Sequence, residues 1–179
     1  MFESRLHKIL FEEVTANNII AAINRTRTQH NLRPATGNPE LRKAAKEHAA
    51  NMAYFQKFGH ELPESDYPTF HDRMQLANFS YSDAGEVLAA GFDDPSRVVH
   101  LWLNSPTHRE IVLHPDITDI GASVQYARTG KPYICAVLGI SSDEDSDYDD
   151  DDDGPDLIDL VAKYGKKAAK SIWKRLTKS

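Results

Sequence analysis

Residues 102–109 read Trp-Leu-Asn-Ser-Pro-Thr-His-Arg, and the fold follows from placing them. Asp94 can cap a helix over 95–104, with Pro95 at its first position and Val98, Leu101 and Trp102 facing inward. Ser105-Pro106 ends that helix, because the residue before a proline is pushed out of the helical region. A short helix is expected at once, since Thr107-His-Arg-Glu110 has the form of a capping box, and His114-Pro115 stops it. Two strand candidates come next. Ile120, Ala122, Val124 and Tyr126 alternate with small or polar residues. Pro132 to Gly139 is a nearly continuous apolar run, as expected of a central strand covered on both faces, and Thr129-Gly130 lies in the turn between the two.

Upstream, residues from about Thr15 to Gln29 read as a helix with Ile19, Ile20 and Ile23 on one face. The spacing predicts a second helix over 39–58. Asn38 caps it, Pro39 takes the first position, Gly59 lies just past the end, and Leu41, Ala44, Ala45, His48, Met52 and Phe55 form its apolar stripe. Residues 60–84, with Pro63, Pro68 and scattered acids, read as loop. Helices first and strands last, with no βαβ alternation, predict an α+β fold in which helices pack on a small antiparallel sheet.

The 179 residues carry a net charge of −6, so a specific nucleic-acid partner is not expected. The charge is unevenly spread. Residues 1–141 are near neutral, residues 142–156 hold ten acids and no base, and residues 157–179 hold seven bases and one acid. The chain thus divides into an N-terminal extension (1–14), a globular domain (15–141), an acidic linker (142–156) and a basic C-terminal helix (157–179). Cys135 is the only cysteine, which excludes an intramolecular disulfide. No apolar run reaches the roughly 18 residues of a membrane-spanning helix. The N-terminus as written lacks the apolar core of a secretory signal. These features predict cytoplasmic synthesis, after which the protein either stays where it is made or leaves, inside a larger assembly such as a virion or after further processing.

His60 after Gly59, Glu86 in Ala84-Gly-Glu-Val-Leu88, and His108 are the candidate chemical residues. Arg73 lies in the loop before Glu86 and either brackets a cleft or is simply solvated; His71 lies beside it. His48 reads as a satisfied core histidine, Trp102 as core, and Cys135 as a core filler rather than a nucleophile.

The order of Asn24-Arg-Thr-Arg27, Leu41 to His48, Gly59-His60, Gly85-Glu86, residues 102–109 and Ile120-Gly-Ala-Ser-Val124 resembles a CAP superfamily domain over roughly residues 15–140. That family takes in cysteine-rich secretory proteins, insect venom antigens and plant pathogenesis-related proteins. The segment 102–109 and the single cysteine look like its bacterial branch. The resemblance implies an α-β-α sandwich with an open cleft lined by two histidines and two glutamates. Carried over, His60 and His108 match the histidines and Glu86 one glutamate. Ser105 stands where the second glutamate would fall, and Val87 where an asparagine is usual. Two imidazoles and a carboxylate make a three-ligand zinc set with an open position. The start of the short helix disfavours a charged His108, while Glu86 favours one. A metal-dependent hydrolase using His60, Glu86 and His108 is one reading of such a cleft. A lipid-binding or membrane-active protein is another, and a noncatalytic binding or assembly module is the leading one.

The acidic run Asp149-x-Asp151-x-Asp153-Gly154 imitates a calcium loop, but Leu160 stands where the loop needs its glutamate, so it reads as solvated acid. In residues 157–179, Leu157, Leu160, Val161, Tyr164, Ile172 and Leu176 form one helical stripe with Trp173 near its edge, and Lys166, Lys170 and Lys174 lie opposite. Such a helix suits a partner protein's groove, an anionic membrane or its own domain.

Overall fold

The computed structural model describes residues 14–142. The readings of 1–13, of the acidic run from Asp143 and of the helix over 157–179 fall outside the described residues. Nine elements follow in order: α1 (Ala16–Gln29), β1 (Thr36–Gly37), α2 (Pro39–Phe55), α3 (Phe70–Ala77), β2 (Tyr81–Ala90), α4 (Pro95–Asn104), α5 (Pro106–Val112), β3 (Asp119–Tyr126) and β4 (Pro132–Ser141).

The sheet order is β1-β3-β4-β2. The hairpin β3–β4 runs in register from Asp119↔Gly139 to Tyr126↔Pro132, and β2 pairs antiparallel with the other edge of β4. The two-residue β1 pairs parallel with β3, so the small sheet is antiparallel apart from that edge. Strand β4 alternates between two apolar layers. Ile134, Ala136 and Leu138 join Ile19, Ile23, Val98, Trp102 and Val112. Tyr133, Cys135 and Val137 join Leu41, Ala45, Met52 and Met74. Helices α1, α4 and α5 thus cover one face, and α2 and α3 the other. This is the α-β-α sandwich, and it explains why β4 is apolar along its length. Gly121 lets α2 press on β3, because a Cβ there would lie 2.1 Å from the Arg42 backbone nitrogen.

Five local expectations are corrected. Leu101, expected to face inward with Val98 and Trp102, is 41% exposed, and Val99 is buried beside those two instead. Helix α2 starts as expected, with Asn38 Oδ1 accepting from the Glu40 and Leu41 amides, but it ends at Phe55. Gln56, in the left-handed region at φ 54°, closes it, and Gly59 instead lends its carbonyl to the His48 ring. Residues 60–84 are not all loop. Helix α3 lies within them, with Thr69 and Asp72 capping each other's backbone amides. Strand β2, which carries Glu86, was not expected at all; its Gly85 and alanines mask a strand whose Val87, Leu88 and Ala89 are all buried between layers. Finally, Ser105 rather than Thr107 is the N-cap residue of α5, with Pro106 first, so His108 is the third helical residue and no capping box forms.

Candidate functional site

The site grows from three elements. The chain leaving α2 carries His60, α3 turns Arg73 inward, and β2 brings Glu86 up from the sheet. Glu86 has no freedom there. Its Oε1 accepts from Arg73 at 2.9 Å and lies 2.9 Å from His60 Nδ1. Its Oε2 accepts from Arg73 at 3.0 Å and lies 3.9 Å from the Cys135 sulfur. Only 4% of the Glu86 side chain and 1% of the Arg73 side chain are exposed. Arg73 also donates to the carbonyls of His60 (3.0 Å), Pro68 (3.1 Å) and Tyr67 (3.3 Å). The guanidinium therefore ties the loop between α2 and α3 to the carboxylate on the sheet, and so brackets the cleft from below. Its Nε alone is buried without a partner.

Burial alone would push the Glu86 carboxyl up; the His60 hydrogen bond and the neighbouring His48 and Arg73 more than offset it and hold the group below the ordinary value. His48 lies 3.8 Å from Glu86 Oε1, yet burial holds its ring down to about 4. At neutral pH His48 is uncharged and donates to the Gly59 carbonyl at 2.9 Å. The lasting countercharge of Glu86 is thus Arg73. An ionised carboxylate only accepts, so His60 Nδ1 carries a proton and Nε2 bears the ring's lone pair when His60 is neutral. The His60 side chain is 54% exposed. His108, half-buried on α5, stands with its ring centroid 6.2 Å from that of His60, and burial first, then His60, lowers its pKa below the ordinary value.

His60, Glu86, Arg73 and His108 are therefore brought together. Ser105 forms the joint between α4 and α5, and its hydroxyl makes no cap. The zinc set does not assemble. Among the described residues no group of three or more His, Cys, Asp or Glu side chains is arranged to hold a metal ion. The physical reason is Arg73: it occupies both Glu86 oxygens and sets a fixed positive charge where a cation would have to approach. Two residues whose sequence signature is that of core also belong to the cluster, Cys135 and His48. Cys135 faces Leu88 in the β2–β4 register, two positions from the Glu86↔Val137 pair and on the same face. Burial first, then Glu86, raises its thiol well above the ordinary value, as suits a filler rather than a nucleophile. His48 lies on the buried stripe of α2 as expected, but that stripe runs under the cleft. His71 turns away to Gln75 on the exposed side of α3.

Trp102, Asn24 and Arg27 are structural. Trp102 donates from its indole to the Leu88 carbonyl at 2.8 Å inside the core. Asn24 bonds both polar groups of Ala35, and buried Arg27 donates to the carbonyls of Arg33, Val112, His114 and Ile117, clamping the exit of α5.

A model of the cysteine-rich secretory protein family, CAP, matches residues 20–137. The Bacillus subtilis protein YkwD is 31% identical over 121 residues, which is 68% of this chain and 46% of that protein. The chain spans 30% of the length of a second B. subtilis relative, the membrane protein YlbC, at 28% identity over 59% of its own length. Among solved structures, an extracellular SCP-domain protein of Bacillus anthracis is 26% identical with a TM-score of 0.60, over 69% of this chain and 39% of that one. An outer surface protein of Borrelia burgdorferi shares the fold with a TM-score of 0.63 at 24% identity, over 74% of this chain and 100% of that one.

Proposed function

The chain belongs to the cysteine-rich secretory protein, or CAP, family, and on that premise we propose that it is a noncatalytic binding module of an exported or surface assembly. The observation that carries this reading is the state of Glu86. In a hydrolytic site a carboxylate is expected to orient a base beside a nucleophile, or to hold a metal. Here it does orient the His60 ring, but a buried guanidinium holds both its oxygens against a metal, and the thiol beside it is held protonated rather than activated. What the cleft offers outward is a pair of imidazoles, His60 and His108, suited to hydrogen-bonding a polar ligand. The surface setting is supported by the descriptions of the two solved relatives as an extracellular and an outer surface protein. Residues 157–179 supply the docking arm for a partner protein. Among the described residues no helix is long and apolar enough to cross a membrane.

Two measurements test this. Ester, peptide and phosphodiester substrates are given to the full chain and to His60→Ala and His108→Ala. No turnover above background is expected in any of the three. Turnover that both substitutions remove, with unchanged circular dichroism, overturns the noncatalytic reading. The arm is tested with phosphatidylglycerol vesicles, using the full chain and a variant carrying Lys166→Glu, Lys170→Glu and Lys174→Glu. A protein-docking arm leaves both in the supernatant. Salt-sensitive cosedimentation lost in the variant makes the arm a membrane anchor instead.

A further inference from the structure

A groove that shares no lining residue with the cleft runs between the end of α2 and the turn of the β3–β4 hairpin. It encloses about 590 Å³, a size at which small ligands are held. Tyr54 and Gln56 line it on the helix side, and Gln125, Tyr126 and Arg128 on the hairpin side. Its walls are therefore two phenol rings, two primary amides and one guanidinium.

The fold presents these groups rather than consuming them. Tyr54 is 76% exposed and Tyr126 55%, yet both rings are braced. Tyr54 meets Phe55 edge to face with centroids 5.0 Å apart, and the Tyr126 hydroxyl donates to the Val14 carbonyl at 3.3 Å. Gln125 donates from Nε2 to Ser123 Oγ at 3.1 Å, which fixes its amide plane and leaves Oε1 as an acceptor. Among the described residues the ion pairs involve His48, Lys57, His60 and Arg73, and the exposed Arg128 is outside them. Gln56 closes α2 at φ 54°, in the left-handed region that glycine takes most cheaply. A long amide kept there at a conformational cost asks for a use of its side chain, and that side chain lines the groove.

We infer that this groove is a second binding site, for an acidic saccharide. A pyranose ring has a face of C–H groups and a rim of hydroxyls. The C–H face is matched by the electron-rich face of an exposed tyrosine ring. Neighbouring hydroxyls, each both donor and acceptor, are matched by a primary amide, which offers both functions in one plane. Arg128 supplies paired N–H donors to a sugar carboxylate. An acyl chain would instead leave the polar groups of Gln56, Gln125 and Arg128 covered and unpaired. The site is independent of what the His60–His108 cleft binds.

The full isotope-labelled chain is titrated with tetragalacturonate, with a hyaluronan tetrasaccharide and, as the neutral counterpart, with cellotetraose, and its backbone and glutamine side-chain amides are followed by NMR. Saturable shifts at Gln56, Gln125 and Arg128 are expected with both acidic sugars at millimolar concentration. They should bind about fivefold more tightly than cellotetraose, a difference that Arg128→Gln removes. Tyr54→Ala, at an exposed position, should weaken binding about tenfold. Gln56→Gly should weaken it likewise while the melting midpoint holds or rises, because glycine relieves the left-handed backbone, so lost binding is told apart from lost folding. The absence of saturable shifts in the groove with either acidic sugar overturns the inference. Binding that survives both Tyr54→Ala and Gln56→Gly overturns it by placing the sugar elsewhere, and equal affinity for cellotetraose overturns the acidic ligand. Groove shifts that follow protein concentration without sugar overturn it in favour of a contact between two copies of the chain.

Discussion

Replacing Arg73 by methionine removes the lasting positive charge against Glu86 while keeping a long apolar side chain. Glu86 would then be an ionised carboxylate with 4% of its side chain exposed, left with the His60 ring as its remaining close donor. Breaking a buried ion pair from one side costs about 3–5 kcal/mol. The three carbonyls of His60, Tyr67 and Pro68 also lose their donor, which holds the loss toward the upper end. At roughly 2–4 °C per kcal/mol for a chain of this size, the melting midpoint should fall by about 10 °C or more. Removing both charges in Arg73→Met with Glu86→Leu leaves neither group stranded. The double variant should recover most of the loss, with a coupling near 3 kcal/mol. Urea unfolding followed by circular dichroism at pH 7.5 measures all four corners. The pH dependence gives a second check. In the unaltered chain the depressed Glu86 carboxyl stabilises the fold above its unfolded value and loses that contribution as pH falls through the folded value. Without Arg73, burial dominates and raises the carboxyl, so the deficit of Arg73→Met should shrink as the pH falls. A single-variant loss below about 1 kcal/mol, or losses that simply add, would refute the picture of Arg73 as the closing charge.

His48 is buried with its ring held down to about 4 against an ordinary 6.5. Between those values the unfolded chain binds the extra proton, so about 3 kcal/mol of stability present above pH 6.5 is lost as pH falls toward 4. His48→Gln should flatten the unfolding free energy across that window, and an unchanged slope would sink the assignment. Gly121→Ala places a Cβ 2.1 Å from the Arg42 nitrogen and 2.2 Å from the Leu41 carbonyl carbon. Backbone cannot yield cheaply, so a loss of about 3 kcal/mol, the upper end of overpacking costs, is expected; a near-native melting point contradicts the close approach. Cys135, fully buried and with its thiol raised, should resist a thiol reagent in the native protein and react in urea. Prompt labelling without denaturant would show that the layer under the cleft opens readily.

What was legible in the sequence was whatever rested on local chemistry. Asn38-Pro39 and Asp94-Pro95 start their helices as read, because a side-chain cap next to a proline has few other uses. The hairpin of β3 and β4 and the turn at Thr129-Gly130 were legible because alternation and an unbroken apolar run both point to strand. Strand β2 was hidden because its residues have little preference for strand. Its pairing with β4 supplies the conformation, and that is a long-range effect. The site split in the same way. His60, Glu86 and His108 stood out by residue type, the resemblance placed them in one cleft, and their donor chemistry suggested zinc. The residue that denies zinc its carboxylate, Arg73, sits on α3, a helix that scattered acids and two upstream prolines disguised as loop. The end of α2 was misplaced for a related reason. Gly59 looked like a helix stop, but it serves the His48 ring, while Gln56 accepts the left-handed conformation that glycine would take more cheaply.

A buried ion pair is weak evidence of stability, because two packed apolar side chains would serve the core as well or better. The Arg73–Glu86 pair therefore calls for a different explanation, and its other contacts provide one. Arg73 holds the backbone of His60 through its carbonyl, and Glu86 holds the His60 ring through Nδ1. The pair grips a half-exposed residue at both ends and orients it toward His108. Stability and orientation should then separate. In Arg73→Met with Glu86→Leu the fold survives, but the His60 ring loses its acceptor and its loop loses its anchor. Histidine ring resonances in the double variant should show the His60 ring mobile, while His48 remains buried and resists protonation at neutral pH. If His60 instead keeps its native shift and rigidity without the pair, the ion pair serves packing alone, and the cleft is held by the α5 side.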